Sequence, residues 1–189
     1  MITPRRQVVA CVAGLLLFQA GEARAYEEGE SQTYYTLEDA LKRVFPDAEQ
    51  ISRQEVSPTP DQRKRIEAAL EGPLEEKVFS IYVGQKAGST VGYGIVTEEI
   101  GRFHPITFLV RVDPDGRVAD TLVMVYRESR GGEVRHKRFL NQFKGKRAAD
   151  PVQLNHDIVN VTGATLSVRA IARGVKKVLA VVQTCCLKR

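Results

Sequence analysis

The sequence predicts an α+β domain, an antiparallel sheet with flanking helices. Three observations carry that reading. Short β-rich runs follow one another between residues 77 and 126 with no helical segment between them, so neighbouring strands join through tight turns. One junction, Asp113-Pro114-Asp115-Gly116, is a turn by its chemistry, because Pro fixes φ and Gly supplies positive φ. The last stretch repeats Val168, Ile171, Val175, Val178, Leu179 and Val182 at helical spacing, an apolar stripe that needs a surface to cover. Composition agrees: of 189 residues, 43% are hydrophobic and 27% charged, enough to bury a core and unlike a collagen or a disordered tail.

The chain opens with a segment to be set apart from the fold. Arg5 and Arg6 precede an uncharged apolar run over 7–20, and Ala23-Arg24-Ala25 forms an A-x-A site before Tyr26. That is the pattern of a secretory signal peptide over 1–25, and it predicts an exported, periplasmic protein. Other readings of the same run are an uncleaved membrane anchor, a buried core helix and lipid attachment at Cys11. The formal charge of +5 is nearly balanced once residues 1–25 are removed, which is too little to argue for nucleic acid.

Residues 26–76 read as a helical lead. After a polar start, Thr36 caps a short helix to Ala48 with Leu37, Leu41 and Val44 as its stripe. Residues 51–58 are extended or loop. Thr59-Pro60 starts a second helix that Gly72-Pro73 stops. The β-rich runs are 77–84, 90–97, 106–113 and 118–126, the last two forming a hairpin. Gly92 and Gly94 beside Tyr93 mark a close backbone approach or a bulge. After Gly131-Gly132, the stretch 133–146 reads as helical in its middle, with Phe139, Leu140 and Phe143 as its apolar face. The final helix covers 166–183, with Arg169, Arg173, Lys176 and Lys177 off its stripe. Residues 184–189 are a tail holding the adjacent Cys185 and Cys186.

No catalytic residues and no metal site are expected. There is no Ser-His-Asp pattern, no paired carboxylates, no phosphate-binding loop of the Walker type and no zinc-like Cys/His spacing, and His104, His136 and His156 are scattered. One constellation carries chemistry. Thr162, Thr165 and Ser167 crowd the entrance to the final helix, with the small Gly163 and Ala164 between them. A helix start leaves unsatisfied N–H groups and the positive end of a dipole, which favour an anion such as a phosphate. The same residues also read as a plain N-cap.

Thr162-Gly163-Ala164-Thr165-Leu166-Ser167 resembles the [Ser/Thr]-Gly-Ala-Thr-x-[Ser/Thr] motif of the FMN-binding domain family, of the type found in the Rnf electron-transport complex (its G component) and in the sodium-pumping NADH:quinone oxidoreductase (its C component). The resemblance extends over about 77–183 and includes Val91-Gly92-Tyr93, the Asp113–Gly116 turn, Tyr126-Arg127-Glu128 and the stretch 139–146. It implies an electron-relaying flavoprotein, more an electron carrier than a stand-alone enzyme, with FMN joined to Thr165 by a phosphoester. It further implies a flavin transferase as the attaching partner and membrane or periplasmic redox partners. The alternative is a non-covalent FMN- or phosphate-binding sensory or structural subunit of an envelope redox complex.

Thr162, Gly163, Ala164, Leu166 and Ser167 then form the phosphate cradle. Tyr93, Tyr126 and Phe139 are candidates for the bed of the flavin ring, Arg138 and Lys146 for cations near it, and Glu128 for a further contact; each also reads as plain core or surface. The family commonly places an acidic residue six positions before the modified Thr. Here that position is Val159, with Asp157 and Asn160 close by.

Overall fold

The computed structural model describes residues 31–187. The signal peptide expected over 1–25, with Cys11, lies outside the described residues.

A six-stranded antiparallel sheet runs in the order β1-β6-β5-β4-β3-β2. Its strands are β1 (Gln32–Thr33), β2 (Gln50–Val56), β3 (Phe79–Lys86), β4 (Ser89–Ile100), β5 (Pro105–Val112) and β6 (Val118–Tyr126). The expected hairpin is β5–β6, joined through the Asp113–Gly116 turn, where Gly116 takes φ +83°. The lead is more than helical. Residues 50–56 pair with β3 along their whole length, and residues 32–33 pair with β6, so this segment supplies both edge strands.

Helix α1 (Leu37–Val44) starts at the Thr36 cap and ends at Phe45, before Pro46, short of the Ala48 end expected from the pattern. Helix α2 (Pro60–Leu70) has the full capping box, Thr59 with Gln62. Helix α3 (Lys137–Leu140) is a single turn between two 3-10 turns at Gly132–Arg135 and Asn141–Phe143, so the stretch 133–146 is helical in its middle, as expected, in short pieces. Helix α4 (Thr165–Cys185) is 21 residues long, and no helix among the described residues is long and apolar enough to cross a membrane.

The sheet is covered on both faces, and β5 shows why. Ile106, Phe108, Val110 and Val112 face α4 and α2, while Leu109 faces α1 together with Leu122 and Met124. A strand buried on both sides reads as a continuous apolar run, as ITFLV does. The expected stripe of α4 is fully buried on the first face. Lys177, expected off that stripe, is 6% exposed and turned inward. Its Nζ donates to Glu76 and lies 2.7 Å from Glu99 on β4. The tail also differs from expectation. Helix α4 runs on through Cys185, and both thiols pack against the core, where burial pushes the Cys186 thiol up to about 12.

The glycines of β3 and β4 serve a close approach. The ring of Phe45 lies across Gly84, Gly92 and Gly94, and the one register shift between these strands falls at Gly84/Gln85. A Cβ on Gly84 would meet Phe45 Cδ1 at 2.6 Å. Gly84→Ala is therefore expected to destabilise the fold by about 1–3 kcal/mol through overpacking, read as a lower urea midpoint with unchanged slope. An unchanged midpoint would mean that Phe45 swings away at no cost.

Candidate functional site

The site is built where β6 ends and α4 begins. Gly163 takes φ +80°, and an added side chain there would meet nothing within 4 Å, so the backbone is open to an approaching group. The N-cap of α4 is Ala164, which offers no side-chain acceptor. The plain N-cap reading of Thr162 and Thr165 therefore fails, and the first-turn N–H groups are left for another acceptor. Thr165 is the first helical residue, half-buried, and its Oγ1 accepts from Asn160 Nδ2 at 3.0 Å. Thr162 is exposed, while Ser167 is 4% exposed.

Ser167 is held from the sheet. Tyr126 Oη donates to the Arg130 carbonyl at 2.6 Å, and Ser167 Oγ sits 3.0 Å from the same phenol oxygen. Burial raises the Tyr126 phenol above its ordinary value, so it stays protonated as that donor. Gly131 allows this latch to close, since a Cβ there would come within 2.8 Å of Tyr126 Oη.

Glu128 follows two residues later and holds the loop between β4 and β5. Its Oε1 accepts from the backbone N–H of Arg102 (2.5 Å), Phe103 (2.7 Å) and His104 (3.0 Å). Burial works against its charge, but these three amides outweigh it and hold the carboxyl below its ordinary 4.5. A carboxyl depressed in the folded state contributes stability in full above 4.5, and that contribution is lost as pH falls through the lower native value. Wild-type protein is thus expected to lose its stability advantage over Glu128→Gln as pH falls below 4.5, in urea titrations at a series of pH values. A constant gap across that window would show that the charge is not what holds the loop.

Together these segments enclose a cavity of about 840 Å³. Arg102 and Phe103 line one side, Glu128 to Arg130 a second, and Gly163 to Ser167 the third. The volume is that of a small-molecule site, roughly 300–1,000 Å³. With the Glu128 carboxylate turned into the loop, the exposed cations Arg102 and Arg130 set the sign of the cavity. Phe103 and Leu166 are 51% and 45% exposed there, which is apolar surface of the kind that marks a binding site.

The model of the FMN-binding domain family matches residues 101–180. This segment is an FMN-binding domain. FMN is its cofactor, and every residue lining the cavity lies within the matched span. The chain is 33% identical, over 111 residues, to the G component of the proton-translocating ferredoxin:NAD(+) oxidoreductase complex of Clostridium ljungdahlii, covering 54% of this chain and 60% of that relative. The chain thus spans about three fifths of the length of the curated relative it matches. The fold resembles that of NqrC from Shewanella oneidensis, with a TM-score of 0.53 at 15% identity over 76% of this chain and 85% of that one. A second similar structure is the C component of the Na(+)-translocating NADH-quinone reductase of Parabacteroides distasonis, with a TM-score of 0.49 at 15% identity, covering 75% and 80%.

The cavity of the FMN-binding domain fits a flavin phosphate on its own features. It offers uncapped helix amides, a hydroxyl, two cations and an apolar wall. Of the residues expected near the ring, the structure brings Tyr126 and Glu128 to the motif, in the latching and loop-holding positions just described. It places the others elsewhere. Tyr93 lies on β4 against Cys186, at the far end of α4, which is about 30 Å long at 1.5 Å per residue. Phe139 is 4% exposed and stacked edge-on against Phe143. Lys146 pairs with Asp157 at 2.8 Å. Arg138 is exposed on α3 and does not line the cavity.

Near Val159, the Asp157 carboxylate is turned inward. It accepts from Lys146 Nζ and from the backbone of Val152 and Gln153, so it does not stand in for an acidic residue at 159. The Val159 side chain is 71% exposed, and Gln142 holds its backbone. Sequence reasoning missed Arg102, Phe103 and Arg130. They sit in loops without periodicity; the pairing of β4 with β5 and the Glu128 contact bring Arg102 and Phe103 to the motif, and the Tyr126 bond to the Arg130 carbonyl brings Arg130 there.

Proposed function

We propose that this protein is an exported flavoprotein that relays electrons through FMN joined by a phosphoester to Thr165. The observation that carries the reading is the half-buried Thr165 hydroxyl on the first turn of an uncapped 21-residue helix, at the wall of a cavity of about 840 Å³. The helix amides and dipole stabilise phosphate oxygens at that point. Asn160 would orient the Thr165 oxygen toward the phosphorus of an activated flavin phosphate presented by the transferase. As the oxygen–phosphorus bond forms, the bond from phosphorus to the donor's leaving group would break, and that group would carry off the hydroxyl proton. Arg102 and Arg130 hold negative charge, and Phe103 with Leu166 keeps water from the ring. Bound FMN supplies reversible electron uptake, and the protein supplies binding and electrostatics.

In this reading residues 1–25 are removed on export, 77–183 work as the FMN-binding unit with 26–76 as its lead, and a periplasmic flavin transferase makes the attachment. Its redox partners are membrane or periplasmic proteins, in line with the named relative belonging to an oxidoreductase complex. A second reading, FMN held without the bond, is favoured by Val159 together with the already engaged Asp157 carboxylate. Protein exported from a host containing a flavin transferase separates the two. Yellow colour that survives denaturation, with the added mass of one FMN less one water, supports the ester. Colour lost on denaturation supports the second reading, and Val159→Asp should then restore attachment. Colourless protein overturns both.

A further inference from the structure

We propose that Phe103 is the aromatic surface against which the flavin ring rests, and that Glu128 is the positioning residue that holds it there. The inference rests on the FMN reading above. Among the described residues that line the cavity, Phe103 is the one aromatic, and it is half-exposed although its side chain is large and apolar. The three aromatics expected from the sequence do not serve. Tyr93 lies at the other end of α4, the Tyr126 ring is 2% exposed with its hydroxyl spent on the latch, and Phe139 is buried against Phe143.

Phe103 is also presented with a charge. The Arg102 guanidinium stands 4.8 Å from its ring centroid, which places a cation beside an aromatic at the mouth of an anion site. Loop 101–104 does not set this arrangement alone, since its own backbone closes with one bond, Gly101 N–H to the His104 carbonyl. Three successive amides are instead gathered on one oxygen of Glu128. Gly101 permits the approach, because a Cβ there would lie 2.8 Å from that oxygen. Removing the carboxylate releases the loop and with it the wall of the cavity that Arg102 and Phe103 form.

The chain contains no Trp, so Phe103→Trp introduces a single reporter. An indole in van der Waals contact with a flavin quenches flavin emission, whereas one on a distant surface does not. The comparison uses full-length protein loaded in an exporting host with a flavin transferase, freed of unbound FMN, with bound FMN counted by intact mass and by absorbance. Wild type, Phe103→Trp and Leu37→Trp are compared, the last on α1 across the sheet. The expected result is loss of most flavin emission in Phe103→Trp alone. Adding Glu128→Ala to Phe103→Trp should return that emission with FMN still bound, and Glu128→Gln, which keeps an acceptor oxygen, should return less. If the alanine variant sheds its flavin, the glutamine variant carries the comparison. Emission in Phe103→Trp equal to wild type overturns the placement of Phe103, and a double variant as dark as Phe103→Trp overturns the role of Glu128. Wild-type protein without FMN overturns the FMN reading itself, which the mass distinguishes from the other failures.

Discussion

Thr165→Ala is expected to give a folded protein with no attached flavin. The ester needs a side-chain oxygen, and alanine has none, so the added mass of FMN should vanish entirely. Thr165→Ser keeps the oxygen and should keep attachment in part. The fold should tolerate the change, because Thr165 is not the N-cap and its hydroxyl makes a single bond, from Asn160. Loss of one such bond costs about 0.5–1.5 kcal/mol, small against a domain stability of roughly 5–15 kcal/mol. Thr162→Ala should weaken the cradle and leave the linkage in place. Intact mass and a urea melt on the same sample check both halves of the expectation. Flavin still attached to Thr165→Ala would move the ester to Thr162 or Ser167.

Lys177→Ala is expected to produce the largest loss of stability. Lys177 is 6% exposed and faces Glu76 and Glu99, and the Glu99 side chain is itself 12% exposed. Removing the cation strands buried carboxylate, and breaking such a pair costs about 3–5 kcal/mol. Arg173, 3.6 Å from Glu99, is 55% exposed and offsets only part of this. At roughly 2–4 °C per kcal/mol for a chain of this size, the melting point should fall by about 10 °C. Lys177→Met combined with Glu99→Gln removes both charges and should cost less than the sum of the two single changes. A drop under about 1 kcal/mol in Lys177→Ala would show that water reaches the pair.

What was legible in the sequence was whatever local chemistry decides. The Thr59-Pro60 helix start, the Asp113–Gly116 turn and the Val168–Val182 stripe each specify their own conformation within a few residues. The two outer strands were less legible. The exposed, polar alternation of Gln50–Val56 gains its strand identity only from pairing with β3, and Gln32–Thr33 only from β6. In 133–146 the apolar spacing marks the buried face, Phe139, Leu140 and Phe143, and the middle of the stretch is helical, in a single α turn followed by a 3-10 turn.

The candidate site divides in the same way. By itself the sequence determined the order of elements and the motif Thr162–Ser167 at a helix entrance, because a helix start and its small residues are written in consecutive positions. The tertiary structure alone decided that Ala164 and not a hydroxyl residue caps the helix. It also decided that Glu128 gathers the amides of 102–104, that Phe103 and not Tyr93 reaches the cavity, and that Lys177 turns inward. The physical reason is sequence distance. Glu128 meets amides 24 to 26 residues away and Lys177 meets a carboxylate 101 residues away, so no local pattern records either contact. Such pairs exist only once antiparallel strands have registered and α4 has settled on them, when burial makes each unpaired charge costly enough to fix its partner.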